Sequence, residues 1–411
     1  MADKTYQIAF GGTPVDQDFY GDVLSLRVEE SVSAANLFQL QLATQLTDDG
    51  TWRYVDDDRF ALFSKVSIKI GFSGGGGLAG ALGALATALG VGGGNDGLIP
   101  VFDGYVTAVH FDVGSEPGNS SILVSGMDTS VLMSLEEKIA VWKDMSDSEI
   151  IQQIVGGYGV DVKADPTTTV HQENDTVVVQ RASDIQFVRE LAQRNGLEFY
   201  FETDQASGNV TAYFRAPQLN GTPQPDLAIQ FGDHSNLQSF SARLLGQRPL
   251  SVKLAQIDVA ANSVNTVQVD QMQLAKLGDK DAGVLVGTPL DSLVSPKDAQ
   301  AQMLLLGSAA SDLGELQTLA QAVRDEAGWL ITAQGEVNSE AYQNVLRPHR
   351  VVLVKGASKA YSGKYYVTRV AHEMKGDGSY TQSFEARRNA RDVDGSEAFG
   401  ASGLALPIPG I

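Results

Sequence analysis

The sequence predicts a mainly β protein with α+β parts, in which two related antiparallel β-barrel domains flank a small α/β domain and helices precede the closing hairpin. The first observation is a strand pattern that occurs twice. Residues 102–110 read FDGYVTAVH and residues 361–372 read YSGKYYVTRVAH, so both contain an aromatic residue, a glycine, Val-Thr-x-Val and a final His. The other observations are alternating apolar residues in both outer parts of the chain and two helix-start motifs between them.

The first barrel is predicted at residues 1–127, because apolar residues there recur at every second position. Three groups of side chains each share one face of a predicted strand: Leu24, Leu26 and Val28; Phe38, Leu40 and Leu42; Val66, Ile68, Ile70 and Phe72. Turn residues separate these runs, which is typical of an antiparallel sheet that closes into a small barrel. Residues 73–99 are rich in glycine and lie where the second copy has only a short turn near residues 356–361. They are therefore predicted to be an insertion in a hairpin.

A small α/β domain is predicted at residues 128–235. Two capping boxes predict helix starts in this region, and a pair of residues containing glycine predicts the end of each helix. The starts are Ser146-x-x-Glu149 and Ser183-x-x-Gln186, and the ends are Gly156-Gly157 and Asn195-Gly196. The apolar run at residues 197–201 predicts a strand that pairs with residues 210–215.

The second barrel is predicted at residues 236–392, because its strands resemble those of the first. Residues 237–257 resemble the two strands at residues 24–46. The strand before the second repeat, residues 350–354, likewise resembles the strand before the first repeat, residues 65–70.

A helical segment is predicted within the second barrel at residues 295–335, since proline after Ser295 is favourable at the first position of a helix. Its apolar stripe consists of Leu313, Leu316, Leu319, Ala320, Val323, Ala327 and Leu330. The tail at residues 393–411 is rich in Gly, Ala and Pro, and it is expected to be flexible until it meets a partner.

The composition argues against several classes of function. Thirty Lys and Arg residues against 50 Asp and Glu residues give a net charge of −20, which disfavours binding of nucleic acid or anionic lipid by charge. The chain has no cysteine, which excludes disulfides, thiolate catalysis and zinc sites that use cysteine. No basic stretch followed by an apolar core begins the sequence, so no secretory signal is predicted and folding in the cytoplasm is expected.

One motif favours a different class of protein, a nucleotide-dependent enzyme. Gly75-x-Gly77-x-x-Gly80 follows a predicted strand and precedes Asp103 by roughly 20 residues, which is the order of a dinucleotide-binding unit. The strand before it alternates polar and apolar residues, however, and this is typical of a half-exposed antiparallel strand rather than a covered parallel one. We interpret the glycines as part of the hairpin insertion and predict no cofactor. A third interpretation is a carbohydrate-binding or surface-binding β-domain protein.

Candidate contacts with partner proteins lie in the insertion and in the tail. One set is spaced by four, three and four residues, as on one face of a helix, and the other is an apolar stretch near the end: Leu78, Leu82, Leu85 and Leu89; Leu404, Leu406 and Ile408. The five histidines are scattered and lack the spacing of metal ligands. His110 and His372 take equivalent places in the two repeats, so we expect both to pack or to form hydrogen bonds. No catalytic or metal-binding residue is predicted.

Two stretches of the chain resemble a known family. Residues 183–201, SDIQFVRELAQRNGLEFYF, resemble the hallmark of contractile-tail baseplate hub proteins, which include the phage late control protein D family and the N-terminal hub region of type VI valine-glycine-repeat spike proteins. Residues 363–384 are similar to the closing hairpin of that family, and the resemblance spans most of residues 1–390 in element order. The structural positions of the motifs are Phe187, Leu191, Gly196, Tyr200, Gly104, His110, Gly363 and His372.

The resemblance implies a structural, non-enzymatic homotrimer in which each subunit supplies two tube-type barrels, so that three subunits form a ring of six similar barrels. Such a ring adapts a sixfold inner tube to a threefold spike. The implied partners are the inner tube protein, the spike and the baseplate wedge components, within a virion or a phage-tail-like injection particle, and nucleic acid would meet the ring only as cargo in its lumen. No needle-forming domain follows the second barrel, so the spike is expected to be a separate protein. The glycine-rich insertion does not belong to the family pattern.

Overall fold

The structure is a computed structural model of the 411-residue chain. It describes residues 3–73, 98–116, 118–174, 177–204, 207–258, 262–287, 289, 302–306, 310, 312–395 and 397. Several predicted features lie outside the described residues: the glycine motif at 75–80, residues 295–296, and the candidate contacts Leu78, Leu82, Leu85, Leu89, Leu404, Leu406 and Ile408.

Strands dominate the described chain, and this confirms the prediction of a mainly β fold with α+β parts. The helices are α1 (Gln17–Gly21), α2 (Asp147–Gly156), α3 (Asp184–Arg194), α4 (Leu313–Ala327), α5 (Ser339–Tyr342) and α6 (Ser358–Tyr361). The strands of the N-terminal part are β1 (Asp3–Phe10), β2 (Thr13–Pro14), β3 (Val23–Ser31), β4 (Leu37–Ala43), β5 (Lys65–Ser73), β6 (Ile99–Asp112) and β7 (Ser121–Asp128). Those of the middle part are β8 (Glu137–Trp142), β9 (Met145–Ser146), β10 (Asp161–Ala164), β11 (Val170–His171), β12 (Val178–Ser183), β13 (Glu198–Thr203) and β14 (Val210–Arg215). The remaining strands are β15 (Gln224–Ala228), β16 (Leu237–Leu244), β17 (Ser251–Asp258), β18 (Ser263–Val269), β19 (Lys280–Asp281), β20 (Gln302–Leu306), β21 (Ile331–Asn338), β22 (Val351–Lys355), β23 (Gly363–Lys375), β24 (Tyr380–Arg388) and β25 (Ala390–Arg391).

Thirteen of the described strands form one large sheet, and its two halves repeat the same strand order. The order is β3-β4-β7-β6-β5 in one half and β16-β21-β24-β23-β22 in the other, so each strand has a counterpart at the same place in the chain order. We call β1–β7 the N-terminal copy, and β15, β16 and β21–β24 the C-terminal copy. The two copies differ in the strand that follows β5 in one order and β22 in the other. Strand β1 runs antiparallel to β5, whereas β15 runs parallel to β22.

Two β-bulges recur at matching places in the copies. In β3 the register against β4 shifts between Val23 and Ser25, and in β16 the register against β21 shifts between Leu237 and Ser239. In the same way Thr107 is the extra residue of β6 opposite β7, and Thr368 is the extra residue of β23 opposite β24. A bulge inserts one residue at a defined point of a strand pair, so two shared bulges indicate a common plan for the copies.

A backbone feature before the repeated hairpin is also shared. Phe63 has φ 65° and His349 has φ 60°, which is uncommon for residues other than glycine. The Phe63 N–H donates to the Val106 carbonyl at 2.8 Å, and the His349 N–H donates to the Val367 carbonyl at 3.1 Å. Each left-handed residue thus lies two residues before the corresponding strand of its copy, β5 or β22.

The bulge in β3 corrects the predicted face of the first long strand. Val23, Leu26 and Val28 are at most 3% exposed and pack in the core of the N-terminal copy, whereas Leu24 is 44% exposed. Leu24 is the extra residue of the bulge, so it leaves the face on which the simple alternation placed it.

The second strand of the C-terminal copy also differs from the prediction. The counterpart of β4 is β21, whereas the run ending at residue 257 forms β17, which belongs to a separate sheet of order β18-β17-β20. Helix α4 packs on this sheet through Leu316 and Ala320, both of which are fully buried. The two strands could not be distinguished locally because both are short apolar runs.

The predicted helical segment at residues 295–335 is only partly helical among the described residues. Residues 302–306 form β20, which pairs in parallel with β17, and β21 begins before the segment ends. The helix itself begins after Asp312, whose side chain accepts from the Glu315 N–H at 2.7 Å. Leu313 is 53% exposed, and the buried Leu330 lies beyond the helix end. An aliphatic run is compatible with either a strand or a helix, and here parallel pairing decides.

The middle domain, β8–β14 with α2 and α3, forms the elements that its sequence predicts. Helix α2 begins with a reciprocal cap, in which Ser146 N–H donates to the Glu149 carboxylate at 2.7 Å and the Glu149 N–H donates to Ser146 Oγ at 3.4 Å. Helix α3 begins after Ser183, as predicted. Strand β13 follows α3 and pairs antiparallel with β14, also as predicted.

Candidate functional site

Among the described strands, the sheet continues from one copy to the other through a single strand pair. Residues 25–31 of β3 lie antiparallel to residues 369–375 of β23, and we call this pair the internal seam. On its outer side Arg369 forms ion pairs with Glu29 at 2.7 Å and with Glu385 at 2.9 Å. The hydrogen bond from Arg369 is the largest of the causes that lower the pKa of Glu29. The exposed ion pairs add at most about 1 kcal/mol each, so the backbone pairing is the main connection.

Beneath the seam, the buried residue Arg347 connects the two copies and the middle domain. Its guanidinium lies 2.7 Å from the Glu30 carboxylate of β3, and its Nη1 donates to the Pro100 carbonyl of β6 at 2.8 Å. A third partner, Glu202 of β13, lies 3.9 Å away. A charge that is removed from water requires such partners, and those of Arg347 are two groups of the N-terminal copy and one of the middle domain.

The carboxylates at this junction stay ionised because of the arginines. Burial raises the pKa of Glu30, but the charge of Arg347 and the hydrogen bond to His372 outweigh it, so the net pKa is lowered. Burial likewise raises the pKa of Glu202, and the charges of Arg347 and Arg350 lower it overall. The junction is therefore a set of charges that hold the parts together.

The two histidines of the repeats do not occupy equivalent places. His372 is fully buried, with Nδ1 2.9 Å from the Tyr380 hydroxyl and Nε2 3.3 Å from Glu30. His110 is exposed and lies opposite Leu123. Counting from the shared bulges, the counterpart of His110 is Ala371. The sequence carried this signal, because one more residue separates Val-Thr from His in the second repeat, and one residue reverses the face of a strand.

The two motif glycines are crowded by different groups, and neither lies in a hairpin turn. Gly104 lies within β6, where a Cβ would stand 2.2 Å from the Met127 carbonyl oxygen. Gly363 begins β23 with φ 130°, and a Cβ there would lie 2.6 Å from the guanidinium of Arg388. Arg388 is fully buried and donates to three carbonyl oxygens, those of Leu277, Ser362 and Asp392. Both glycines are required by close approach of other groups.

The first family-like motif attaches the middle domain to the C-terminal copy. Tyr200 is 5% exposed, and its ring stacks on the ring of His349 with centroids 3.5 Å apart. His349 Nδ1 lies 3.0 Å from the Glu198 carboxylate, which also accepts from the Tyr366 hydroxyl at 2.5 Å. The sequence marks Tyr200, but it does not show the partner, which lies about 150 residues away.

The same motif also contacts helix α4. Phe187 and Leu191 are buried in the core of the middle domain, as expected for α3. Gly196 ends that helix with φ 68°, and a Cβ there would lie 3.2 Å from Ala322 of α4. Close packing of α4 against the motif therefore requires glycine at this position.

A buried carboxylate supports this contact. Asp147 is 4% exposed and lies 2.9 Å from His171 Nε2, and it accepts from Asn195 Nδ2 at 2.6 Å and from Arg194. Burial raises the pKa of Asp147, but the hydrogen bond to His171 and the charge of Arg194 lower it overall. Arg194 reaches on to Glu315 of α4 at 3.0 Å. This network was not predicted, because its members are far apart in the sequence.

The described residues give little support to the interpretation of the protein as a nucleotide-dependent enzyme. Strand β5 pairs antiparallel with β6, so the strands on either side of the glycine motif do not form the parallel βαβ unit that a dinucleotide site needs. Within the described parts of the chain, no group of three His, Cys, Asp or Glu side chains is placed to hold a metal ion. A cavity of about 600 Å³ lies between the middle domain and the C-terminal copy, and its wall includes Leu197, Trp329 and Arg387.

None of the described helices has the length and apolar character needed to cross a membrane.

Solved structures of tail proteins share this fold. The 43 kDa tail protein of prophage MuSo2 from Shewanella oneidensis is 12% identical and superposes with a TM-score of 0.61, covering 95% of this chain and 100% of that protein. The tail protein of Neisseria meningitidis MC58 is 11% identical, with a TM-score of 0.60 and coverage of 94% and 97%. The E. coli c3393 protein, a component of the type VI secretion system with structural similarity to the bacteriophage T4 tail proteins gp27 and gp5, is 13% identical with a TM-score of 0.53 and coverage of 93% and 76%.

The fold is thus that of these three proteins. The chain belongs to the family described as Alg8 N-terminal domain, whose sequence pattern matches residues 90–376. No curated protein sequence matches it.

Proposed function

We propose that the protein is the structural hub of a contractile injection particle or a phage-tail baseplate. In this role three chains form a ring of six similar barrels, with a sixfold inner tube on one side and a threefold spike on the other. The observation that carries the proposal is the repeated strand order together with the internal seam, since one chain already joins two copies edge to edge. Three such chains supply six copies, which is the number an adaptor between these symmetries requires.

The fold relatives support the same role. Two of them are tail proteins and one is a component of the type VI secretion system. The proposed partners are the inner tube protein, a separate spike protein and baseplate wedge components. The candidate contacts in the glycine-rich insertion and in the tail remain proposals for where these partners bind.

The experiment that tests the proposal is a measurement of symmetry. The purified chain, alone and with its spike and tube proteins, would be examined by light scattering and by negative-stain imaging. A mass three times that of the 43.7-kDa chain and rings with six lobes are expected. A monomer in every mixture would contradict the hub and would favour a surface-binding β-domain protein.

A further inference from the structure

The internal seam covers one strand edge in each copy and leaves the equivalent edge of the other copy open. The outer edge of β3 pairs with the second half of β23. The counterpart of the β3 edge is the outer edge of β16, which pairs with no strand among the described residues. The counterpart of the β23 edge is the second half of β6 on the side away from β7, and this edge also pairs with no described strand. These two open edges correspond to the two edges that meet in the seam.

We propose that β16 of one chain pairs antiparallel with the second half of β6 of a second copy of the chain, and so repeats the internal seam between subunits. This inference rests on the proposed hub function, and it names the interface that closes the ring. The contact is head to tail, because one copy presents β16 and the next presents β6. Unpaired backbone N–H and C=O groups of an edge strand are a template for such pairing.

The shared bulges fix the register of the proposed pair. In the seam, Glu29 lies opposite Ala371 and Val28 lies opposite His372. Arg243 is the counterpart of Glu29, and the counterpart of Ala371 is His110. Transfer of the seam register places Arg243 of one chain opposite His110 of the next.

Side-chain alternation on the two edges agrees with this register. On one face of the sheet the register gives three apolar pairs: Val109 with Leu244, Phe111 with Ala242, and Val113, which directly follows β6, with Phe240. On the other face, Asp112 lies opposite Ser241 and diagonally from Arg243, so that opposite charges are neighbours across the pair. A shift by one residue in either direction would place both Phe111 and Val113 opposite polar side chains.

Exposure distinguishes the open edge from the covered one. Val370 is fully buried and Met374 is 5% exposed in the covered strand β23. Their counterparts are Val109, which is 39% exposed, and Val113, which is 53% exposed. The proposed pairing would remove these two apolar side chains from water, as the seam does for their counterparts.

Disulfide crosslinking tests the register directly, because the chain has no cysteine of its own. Directly opposite residues of an antiparallel pair are close enough for a disulfide. Arg243→Cys combined with His110→Cys should convert most of the protein into covalently linked trimers under oxidising conditions. Arg243→Cys combined with Val109→Cys places the thiols on opposite faces and should link few chains. Glu29→Cys combined with Ala371→Cys should close within one chain and confirms that the geometry permits the bond.

The outcomes separate this inference from the hub proposal. A trimer in which the matched pair crosslinks no better than the shifted pair overturns the strand pairing and leaves the hub intact. A chain that stays monomeric overturns both. A second variant, Val109→Asp, should reduce assembly without changing the thermal stability of the monomer. Its control is Ile139→Asp, which changes an 85% exposed side chain of the middle domain and should leave the trimer unchanged.

Discussion

Glu30 and Arg347 are 317 residues apart in the chain, yet their side chains form a buried ion pair at the point where the two copies meet the middle domain. The carboxylate comes from the N-terminal copy, and the guanidinium comes from the segment before β22 of the C-terminal copy. A pair of this kind holds the parts in one arrangement, because either charge alone would be buried without its nearest opposite charge.

Replacement of Arg347 by Ala should therefore be strongly destabilising. It would leave Glu30 and Glu202 without their shared partner, and removal of one member of a buried ion pair costs about 3–5 kcal/mol. The free energy of unfolding by urea would measure the loss. The control is Arg369→Ala, which removes ion pairs of a side chain that is 40% exposed and should cost about 1 kcal/mol per pair or less. Equal losses in the two variants would show that Arg347 does not have the role described.

Gly196→Ala should weaken the contact between the family-like motif and α4. The new Cβ would be held in a left-handed conformation and pressed to 3.2 Å from Ala322. Gly208→Ala is a matched control, since Gly208 has φ 71° and nothing lies within 4 Å of its added Cβ. In both variants the backbone conformation costs about 1 kcal/mol, and only in Gly196→Ala should the contact with Ala322 add to that cost. Melting temperatures that fall equally would show that α4 moves away from the added Cβ without a loss of stability.

The two histidines of the repeats should respond differently to the same change. His372→Leu leaves the buried Tyr380 hydroxyl without its hydrogen-bond partner and removes one of the hydrogen bonds of Glu30, which costs about 1–3 kcal/mol. His110→Leu changes an exposed side chain and should alter the stability of the isolated subunit little. Chemical denaturation of both variants compares them. Similar effects would argue that the histidines share a role after all.

Acid should destabilise the protein through the buried carboxylates. The pKa values of Glu30, Glu202 and Asp147 are lower in the folded chain than their ordinary values of 4.5, 4.5 and 3.8. Their contribution to stability is therefore fully present above those values and is lost as the pH falls through the lower, folded pKa values. Urea unfolding should show a stability that falls as the pH drops below about 4.5. Asp147→Asn should reduce this dependence, and a stability that rises in acid would contradict the assignment.

Much of the fold could be predicted because its signals are local. Capping boxes at Ser146 and Ser183 depend on residues three positions apart, and the Val-Thr-x-Val repeat marks a strand pair in each copy. The bulge residues were not predictable in this way, since Leu24 follows the period of the strand and leaves its face only because of the pairing with β4.

The junction could not be predicted for a related reason. Nothing near Arg347 in the sequence indicates that its partners lie in β3 and β13. The left-handed conformation of His349 could not be predicted either, because the residue at that position is not glycine. Long-range pairing decides both features. The seam itself was not anticipated, although the duplication that produces it was.

The difference in direction between β1 and β15 has a consequence for recognition. The neighbour of β5 runs antiparallel to it, and the neighbour of β22 runs parallel to it, so the two copies share a strand order but differ in the direction of this strand. A ring made of such pairs would present two kinds of docking position in alternation around its rim. A protein that binds there would distinguish the N-terminal copies from the C-terminal copies. It could therefore bind at three positions of a ring that has six similar units.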